Sequence, residues 1–488
     1  MVDIPSHWKQ ATLEEVGEWT GGGTPSKRKQ SYWQNGNIPW VSPKDMKVSE
    51  IHDTEDQITE TAIQESSAKR IQSGSVLFVT RSGILEHTLP TALAKVDVSV
   101  NQDLKALTPG EEISPKFLLH YTRAENLSIL RRCSKDGTTV ASLESSQLYA
   151  YPIPVPPLRE QRRIVAKIEE LFSDLDAGVA DLKRAKKQLQ RYRQSVLQAA
   201  VEGCLTKAWR EERDTEPADK LLERILEERR AQWEEDYRAK YEAKGKEPPS
   251  GWKSRYTPPE EPDTSDLPEL PEEWMWVNVD QVSNLISGQH IKTDNYNDEK
   301  RGSPYLTGPS DFASKTPQVS KWTEHPRAKA DAGDVLVTVK GAGVGKTNIL
   351  DVDGTAISRQ LMAISPHLIS SQFIYYFVVA NFAYFQRIGA GSTVPGINRN
   401  QVLTTHLPLP PLAEQRQIVN ETERLLSVAD EAMQTVEREI KRAERLRQSI
   451  LKQAFSGKLV KCEEALSPNR EGRDENIVAA DQQIEMSL

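Results

Sequence analysis

The chain has 488 residues, 63 Lys and Arg against 71 Asp and Glu, a formal net charge of −8 and a mean hydropathy of −0.60. At about 150 residues per domain this length suggests roughly three units, and 37% hydrophobic with 27% charged residues fits folded modules joined by polar helices better than one core. Scattered Cys133, Cys204 and Cys462 exclude a disulfide framework or zinc ribbon and suit a reducing cytoplasm, while the acidic balance speaks against a generic nucleic-acid binder.

From the N-terminus, MVDIPSHWKQ lacks the basic-then-apolar pattern of a secretory leader. A turn-rich segment follows in which Gly21-Gly22-Gly23-Thr24-Pro25-Ser26-Lys27-Arg28-Lys29 combines a flexible backbone with three consecutive cations. Gly74 to Val79 reads as a strand leading to Arg81, Leu104 to Pro109 as another, and Gly137-Thr138-Thr139 as a polar turn. Pro152 to Pro157 then halts the preceding structure and tolerates a helix start directly after it.

Residues 158–206 carry a heptad seam: Ile164, Leu171, Gly178, Ala185 and Tyr192, with Ile168, Leu175, Leu182, Leu189 and Val196 offset by four. Gly178 and Ala185 predict a narrow core that a partner approaches closely. A charged segment follows, in which Leu221 to Glu242 predicts a solvated helix and Lys244 to Pro268 a linker.

The same order then recurs. Ile4-Pro5-Ser6-His7-Trp8 returns as Leu270-Pro271-Glu272-Glu273-Trp274, Gly74–Val79 as Gly333–Thr338 before Lys340, and Leu104–Pro109 as Leu361–Pro366. Gly137-Thr138-Thr139 returns as Gly391-Ser392-Thr393, continuing to Asn398, Arg399 and Asn400. Leu407 to Pro411 precedes a second helix with Ile418, Leu425, Ala432, Val436, Leu446 and Ile450 on its seam, and Gly203 and Gly457 stand at equivalent stops. Two copies are too few for a solenoid and suit a pseudo-dimer within one chain. Each helix spans about 45 residues, roughly 65–70 Å at about 1.5 Å per residue, and the simplest packing is antiparallel, copy against copy. Segments Ser26–Arg70 and Gln289–Ala330 hardly align.

Candidate chemistry is sparse. Gly341 to Thr347 (GAGVGKT) looks like a phosphate-binding loop, but Lys340 stands where the motif needs its first glycine, and the first copy has no counterpart. A strand-to-strand turn is the better expectation. No Asn/Asp-Pro-Pro-aromatic motif, Rossmann fingerprint or metal-spaced histidines occur, so no catalytic or metal-binding residue is expected; His120 and His406 are read as packing or surface residues. Phe373 to Phe385, interrupted by Asn381, is too short for a membrane span and predicts a buried helix. Candidate DNA contacts are Thr24, Ser26, Lys27, Arg28, Lys29, Arg81, Thr138, Thr139, Gln289, Lys340, Lys346, Ser392, Thr393 and Asn398, residue types that pair with phosphates and base edges.

The doubled pattern resembles the specificity subunit of type I restriction–modification systems. The matching residues are Pro156 to Val165 and Pro410 to Val419, the RQS[VI]L segments Arg193 to Leu197 and Arg447 to Leu451, and the linker residues Trp209 to Glu212, Leu221 to Ile225 and Pro268 to Trp274. The resemblance covers about residues 1 to 460. It implies an α+β fold with two β-rich target-recognition domains (1–155 and 266–408) and two long antiparallel coiled-coil helices (156–206 and 409–460). A charged helical linker (207–265) and an acidic tail (461–488) complete this pseudo-twofold repeat. It further implies that the chain reads a bipartite asymmetric site in double-stranded DNA and enzymatically does nothing itself. Two adenine-N6 methyltransferase subunits would dock on the helices, whose seam residues are Ile164, Ile168, Leu171, Leu175, Leu182, Leu189, Val196, Ile418, Leu425, Val436, Leu446 and Ile450. S-adenosylmethionine and ATP would belong to those and to motor-nuclease subunits, with no cofactor here and no membrane. The competing class is a coiled-coil scaffold joining two protein partners without DNA.

Charge by segment softens the initial objection. The linker 207–265 carries −3 and residues 463–488 carry −5, so modules and helices together are neutral. Such a body predicts weak non-specific DNA binding by the isolated chain.

Overall fold

The computed structural model describes residues 4–135, 140–391 and 394–460. Thr138, Thr139, Ser392, Thr393, Cys462 and the expected polar tail therefore lie outside the described residues. The chain forms two compact units, Met1–Leu182 with Arg438–Leu488, and Lys183–Glu437.

In the first unit a five-stranded sheet runs Gly17–Gly21, Leu104–Pro109, Val76–Val79, Thr91–Ala94, Glu50–Ile51. Val76–Val79 is apolar at every position and wholly buried, as a central strand covered on both faces requires. A smaller sheet places Ile38–Val41 between Gln57–Ile58, antiparallel, and Ser99–Val100, parallel. The second unit repeats this plan. Ser283–Ser287, Leu361–Pro366, Val335–Thr338 and Thr347–Ile349 make the main sheet. In the smaller one Ser303–Leu306 pairs antiparallel with Lys321–Thr323 and parallel with Thr355–Ile357. The core strand partners thus match between the copies even where their sequences do not; Glu50–Ile51 is added to the first main sheet and Lys329–Ala330 to the second smaller one.

Each proline-rich punctuator is an edge strand followed by a helix. Pro152–Val155 pairs with Lys9–Thr12, and His406–Leu409 with Met275–Asn278; prolines suit such two-stranded ribbons, which need few ladder donors. The helices Leu158–Val201 and Leu412–Phe455 have 44 residues each. Gly203 and Gly457 end them with φ of 73° and 72°, the left-handed conformation that glycine adopts without a Cβ penalty.

Helix packing departs from the strict heptad reading. In the first unit Ile164 and Ile168 share a core with Ile450, Leu451, Ala454 and Phe455. In the second, Val196, Leu197 and Ala200 pack with Ile418, Val419 and Leu426. Tyr192 and Leu446, expected on the seam, are exposed, and Gly178 faces open space. Val179, Arg193, Ala443 and Arg447 are half-buried instead. A straight helix repeats every 3.6 residues rather than 3.5, so the buried stripe drifts off a seven-residue count by about 20° per heptad.

The charged linker is more structured than its composition suggests. Ala218–Glu242 is helical and buries Ala218, Leu221, Leu222 and Ile225 in the core of the second unit. Beyond it, Trp252 stacks on Trp233 at 5.8 Å and Tyr237 at 5.0 Å, and Tyr256 lies 5.4 Å from Trp233. These rings staple the Pro- and Lys-rich return onto the helix. The apolar stretch read as one buried helix is two, Ser371–Ala380 and Phe382–Gly389, divided at Asn381. No helix among the described residues is long and apolar enough to cross a membrane.

Candidate nucleic-acid interface

The glycine-rich turn of the first unit is pinned rather than flexible. Gly23 N–H donates to Val100 O at 2.9 Å, and a Cβ at Gly22 or Gly23 would collide with the backbone of Asn101 or Ser67. Trp33 Nε1 donates to Ser26 O at 3.2 Å. The three cations then part ways. Lys29 pairs with Glu65, donates to Tyr32 Oη at 3.1 Å and lies 4.3 Å over that ring; bonds to Glu65 and then Tyr32 hold its pKa above the ordinary lysine value. It is a structural ion pair. Lys27 sits 5.9 Å over Trp33, and exposed Arg28 has no side-chain partner among the described residues.

A polar chain links this turn to Arg81. Thr24 Oγ1 donates to Gln102, Gln102 Nε2 donates to Asp103 at 3.1 Å, and Asp103 lies 3.9 Å from the Arg81 guanidinium. Arg81 forms a backbone bridge with Ser142, and Ser82 N–H donates to Ala141 O at 3.0 Å. The second unit has the same crossing: Lys340 bridges Gly396, and Gly341 N–H donates to Pro395 O at 2.8 Å. Each cation therefore stands where the strand end meets residues 141–142 or 395–396. The other three candidates of the second unit are dispersed. Gln289 is exposed, with its N–H on Ile357 O at 2.9 Å, the bond that Gly23 makes in the first. Lys346 is exposed in the hairpin between Val335–Thr338 and Thr347–Ile349. No helix follows this loop, so it lacks the helix N-terminus a phosphate-binding loop uses. Asn398 is an N-cap, accepting from Gln401 N–H at 2.9 Å.

Sequence reasoning missed two sets of residues. The Glu-Gln of each PPLxEQR segment forms a polar hub beneath the modules. Gln161 takes Ser114 N–H at 2.8 Å and donates to Pro156 O and Glu112 O; Gln415 takes Ser370 N–H at 2.9 Å and donates to Pro410 O. Glu160 accepts from His7 and the Trp8 indole, Glu414 from Arg210, Thr206 and the Trp274 indole. Their repetition in both copies was the available signal. The second set is the pair before each matched strand, Gln102-Asp103 and Arg359-Gln360, unlike in sequence at equivalent places.

His120 is largely covered beside Phe172, and desolvation brings its pKa down to about 4; Cys133 is buried and Cys204 exposed, both free thiols. Among the described residues no three His, Cys, Asp or Glu side chains gather as metal ligands.

Two segments, residues 5–188 and 271–442, match the family model described as the type I restriction modification DNA specificity domain. The chain belongs to this family. Its role is that of a specificity subunit, the DNA sequence-recognition component of a type I restriction–modification system. It is 24% identical over 467 residues to the putative type I restriction enzyme MjaX specificity subunit of Methanocaldococcus jannaschii, covering 94% of this chain and 95% of that protein. It is 44% identical over 190 residues to the type I restriction enzyme EcoR124I/EcoR124II specificity subunit of Escherichia coli, covering 38% of this chain and 46% of that one. The fold is similar to a chain in a solved type I R-M system described for complex assembly and conformational transition, with TM-score 0.69 and 24% identity over 94% of this chain and 100% of that one. It is also similar to the HsdS subunit from Thermoanaerobacter tengcongensis, with TM-score 0.55 and 23% identity over 93% and 98%.

Proposed function

We propose that this specificity subunit reads a bipartite, asymmetric target, one half per module, with the unread spacer set by the two long helices. The observation that carries this reading is a shared frame with unlike side chains. Strand pairing and turn anchoring repeat between the modules, whereas the exposed residues on the turns differ. Two copies of one frame dock alike on DNA; different side chains on it select different bases. Arg28, Arg81, Lys340 and Lys346 supply phosphate contacts, and a body without net positive charge binds DNA weakly alone.

Methyl transfer to adenine belongs to two docked methyltransferase subunits that hold S-adenosylmethionine, and ATP to motor-nuclease subunits, in a cytoplasmic complex; this chain supplies no catalytic group. Exposed Tyr192 and Leu446 stand at equivalent points of the two helices, one residue before the paired Arg193 and Arg447. They offer two like apolar contacts for two like subunits. The test is adenine-methylation mapping in a genome expressing the chain with its methyltransferase. One motif with two unequal halves and a fixed gap is expected; a palindromic or uninterrupted motif would contradict the reading.

A further inference from the structure

In each unit one tight turn carries the chain from the small sheet to the main sheet. In the first it spans residues 101–104, closed by Leu104 N–H on Asn101 O at 3.2 Å; in the second, residues 358–361, closed by Leu361 N–H on Ser358 O at 2.9 Å. The leading side chain braces each turn from inside. Asn101 Oδ1 accepts from Asp103 N–H at 3.0 Å, and Ser358 Oγ from Gln360 N–H at 3.2 Å. Outside anchors match as well: Thr80 N–H donates to Asp103 O and Val339 N–H to Gln360 O, both at 2.8 Å. Asn101 N–H reaches Val41 O at 2.9 Å, and Ser358 N–H reaches Leu306 O at 3.0 Å. The backbone is thus fixed identically, beside Arg81 in one unit and Lys340 in the other.

Asn101 and Ser358 play the same bracing part; the two central side chains differ in availability. Gln102 and Asp103 are consumed internally by Thr24, Asn101 and Arg81. Arg359 and Gln360 are exposed, and neither side chain makes a hydrogen bond or ion pair with any described residue. An unpaired guanidinium on a turn braced from four sides loses little backbone freedom on meeting a ligand, the preorganisation that base reading needs. Its planar fork matches the O6 and N7 acceptors that guanine alone presents side by side in the major groove.

We propose that Arg359 reads a guanine in the half-site of the second module, and that the equivalent turn of the first module makes no such contact. This rests on the bipartite reading above and deepens it. The test compares the full chain, in complex with its modification subunits, with Arg359→Ala and Arg359→Lys variants by selection from duplexes randomised at every target position. The wild-type complex is expected to select two unlike half-sites. Arg359→Ala should lose roughly ten- to hundred-fold of the preference for G at one position of one half-site, leaving the other half unchanged. Arg359→Lys should recover only part, because an ammonium cannot make the paired contact. Unfolding of both variants should match wild type, since the side chain has no internal partner to lose. Equal weakening on all sequences, with a salt dependence shallower by about one ion, would assign Arg359 to a phosphate and overturn the proposal. Unchanged selectivity would overturn it too. A wild-type complex without any half-site preference would instead defeat the bipartite reading itself.

Discussion

Glu160 and Glu414 occupy the same place in the first turn of the two long helices, yet their surroundings differ. Glu160 is 12% exposed and accepts from His7 and Trp8; Glu414 is fully buried and accepts from Arg210, Thr206 and Trp274. A few turns on, Glu169 takes Lys116 and faces His120, while Glu423 takes Lys315 and the Tyr376 hydroxyl. The acceptors and the indole donor stayed, and the other donors changed. Positions where both units agree, such as Gln161 and Gln415, hold the module onto the helix. A position where they disagree and one side chain is left unpaired, such as Arg359 opposite the internally bonded Gln102, is free to serve recognition.

The largest effect that would sharpen this contrast is at the buried carboxylate. Glu414→Ala strips Arg210 of its carboxylate, leaving it only Gly203 O, and the Trp274 indole of its acceptor, and should cost the second unit about 3–5 kcal/mol. Glu160→Ala, at a slightly exposed carboxylate with two donors, should cost the first about 1–2 kcal/mol. Denaturant-dependent hydrogen exchange resolves the units separately, which a single melting curve does not; equal losses would break the comparison. Next, Gln161→Ala and Gln415→Ala each remove the partner of a half-buried backbone N–H, so losses of about 1–3 kcal/mol, similar in both units, are expected by the same measurement.

Both units hold a histidine whose pKa burial lowers, His120 in the first and His367 in the second, and a substitution tests one at a time. Burial pushes His120 from 6.5 down to about 4, so the folded first unit binds this proton less readily than the unfolded chain. The contribution is complete above pH 6.5 and is lost as pH falls toward 4, at up to about 1.4 kcal/mol per pH unit. His120→Gln should flatten this part of the first unit's pH profile and leave the second unit's unchanged. The smallest effect concerns the equivalent surface pairs Arg447–Asp176 and Arg193–Asp430. Double-mutant cycles should give about 0.2–1 kcal/mol for each.

The duplication, both long helices and their glycine stops were legible because they rest on repeated apolar spacing and on residues with special backbone preferences. Strand order was not, since strands as short as Glu50–Ile51 and Gln57–Ile58 leave no periodicity to count. Tyr192 and Leu446 fell on the wrong face because a seven-residue count overruns a straight helix. Lys29 looked like a free cation, but its partner Glu65 is 36 residues away. Arg359 was overlooked because one arginine in a turn has no motif; its interest comes from the matching frame around it. The Trp233, Tyr237, Trp252 and Tyr256 cluster was hidden by the charges between its members.

Exchange of residues 1–155 for the corresponding module of a relative with a different target, followed by adenine-methylation mapping, tests the central claim most directly. The account predicts that one half of the methylated motif changes while the other half and the gap are retained. A change in both halves, or in neither, would contradict it.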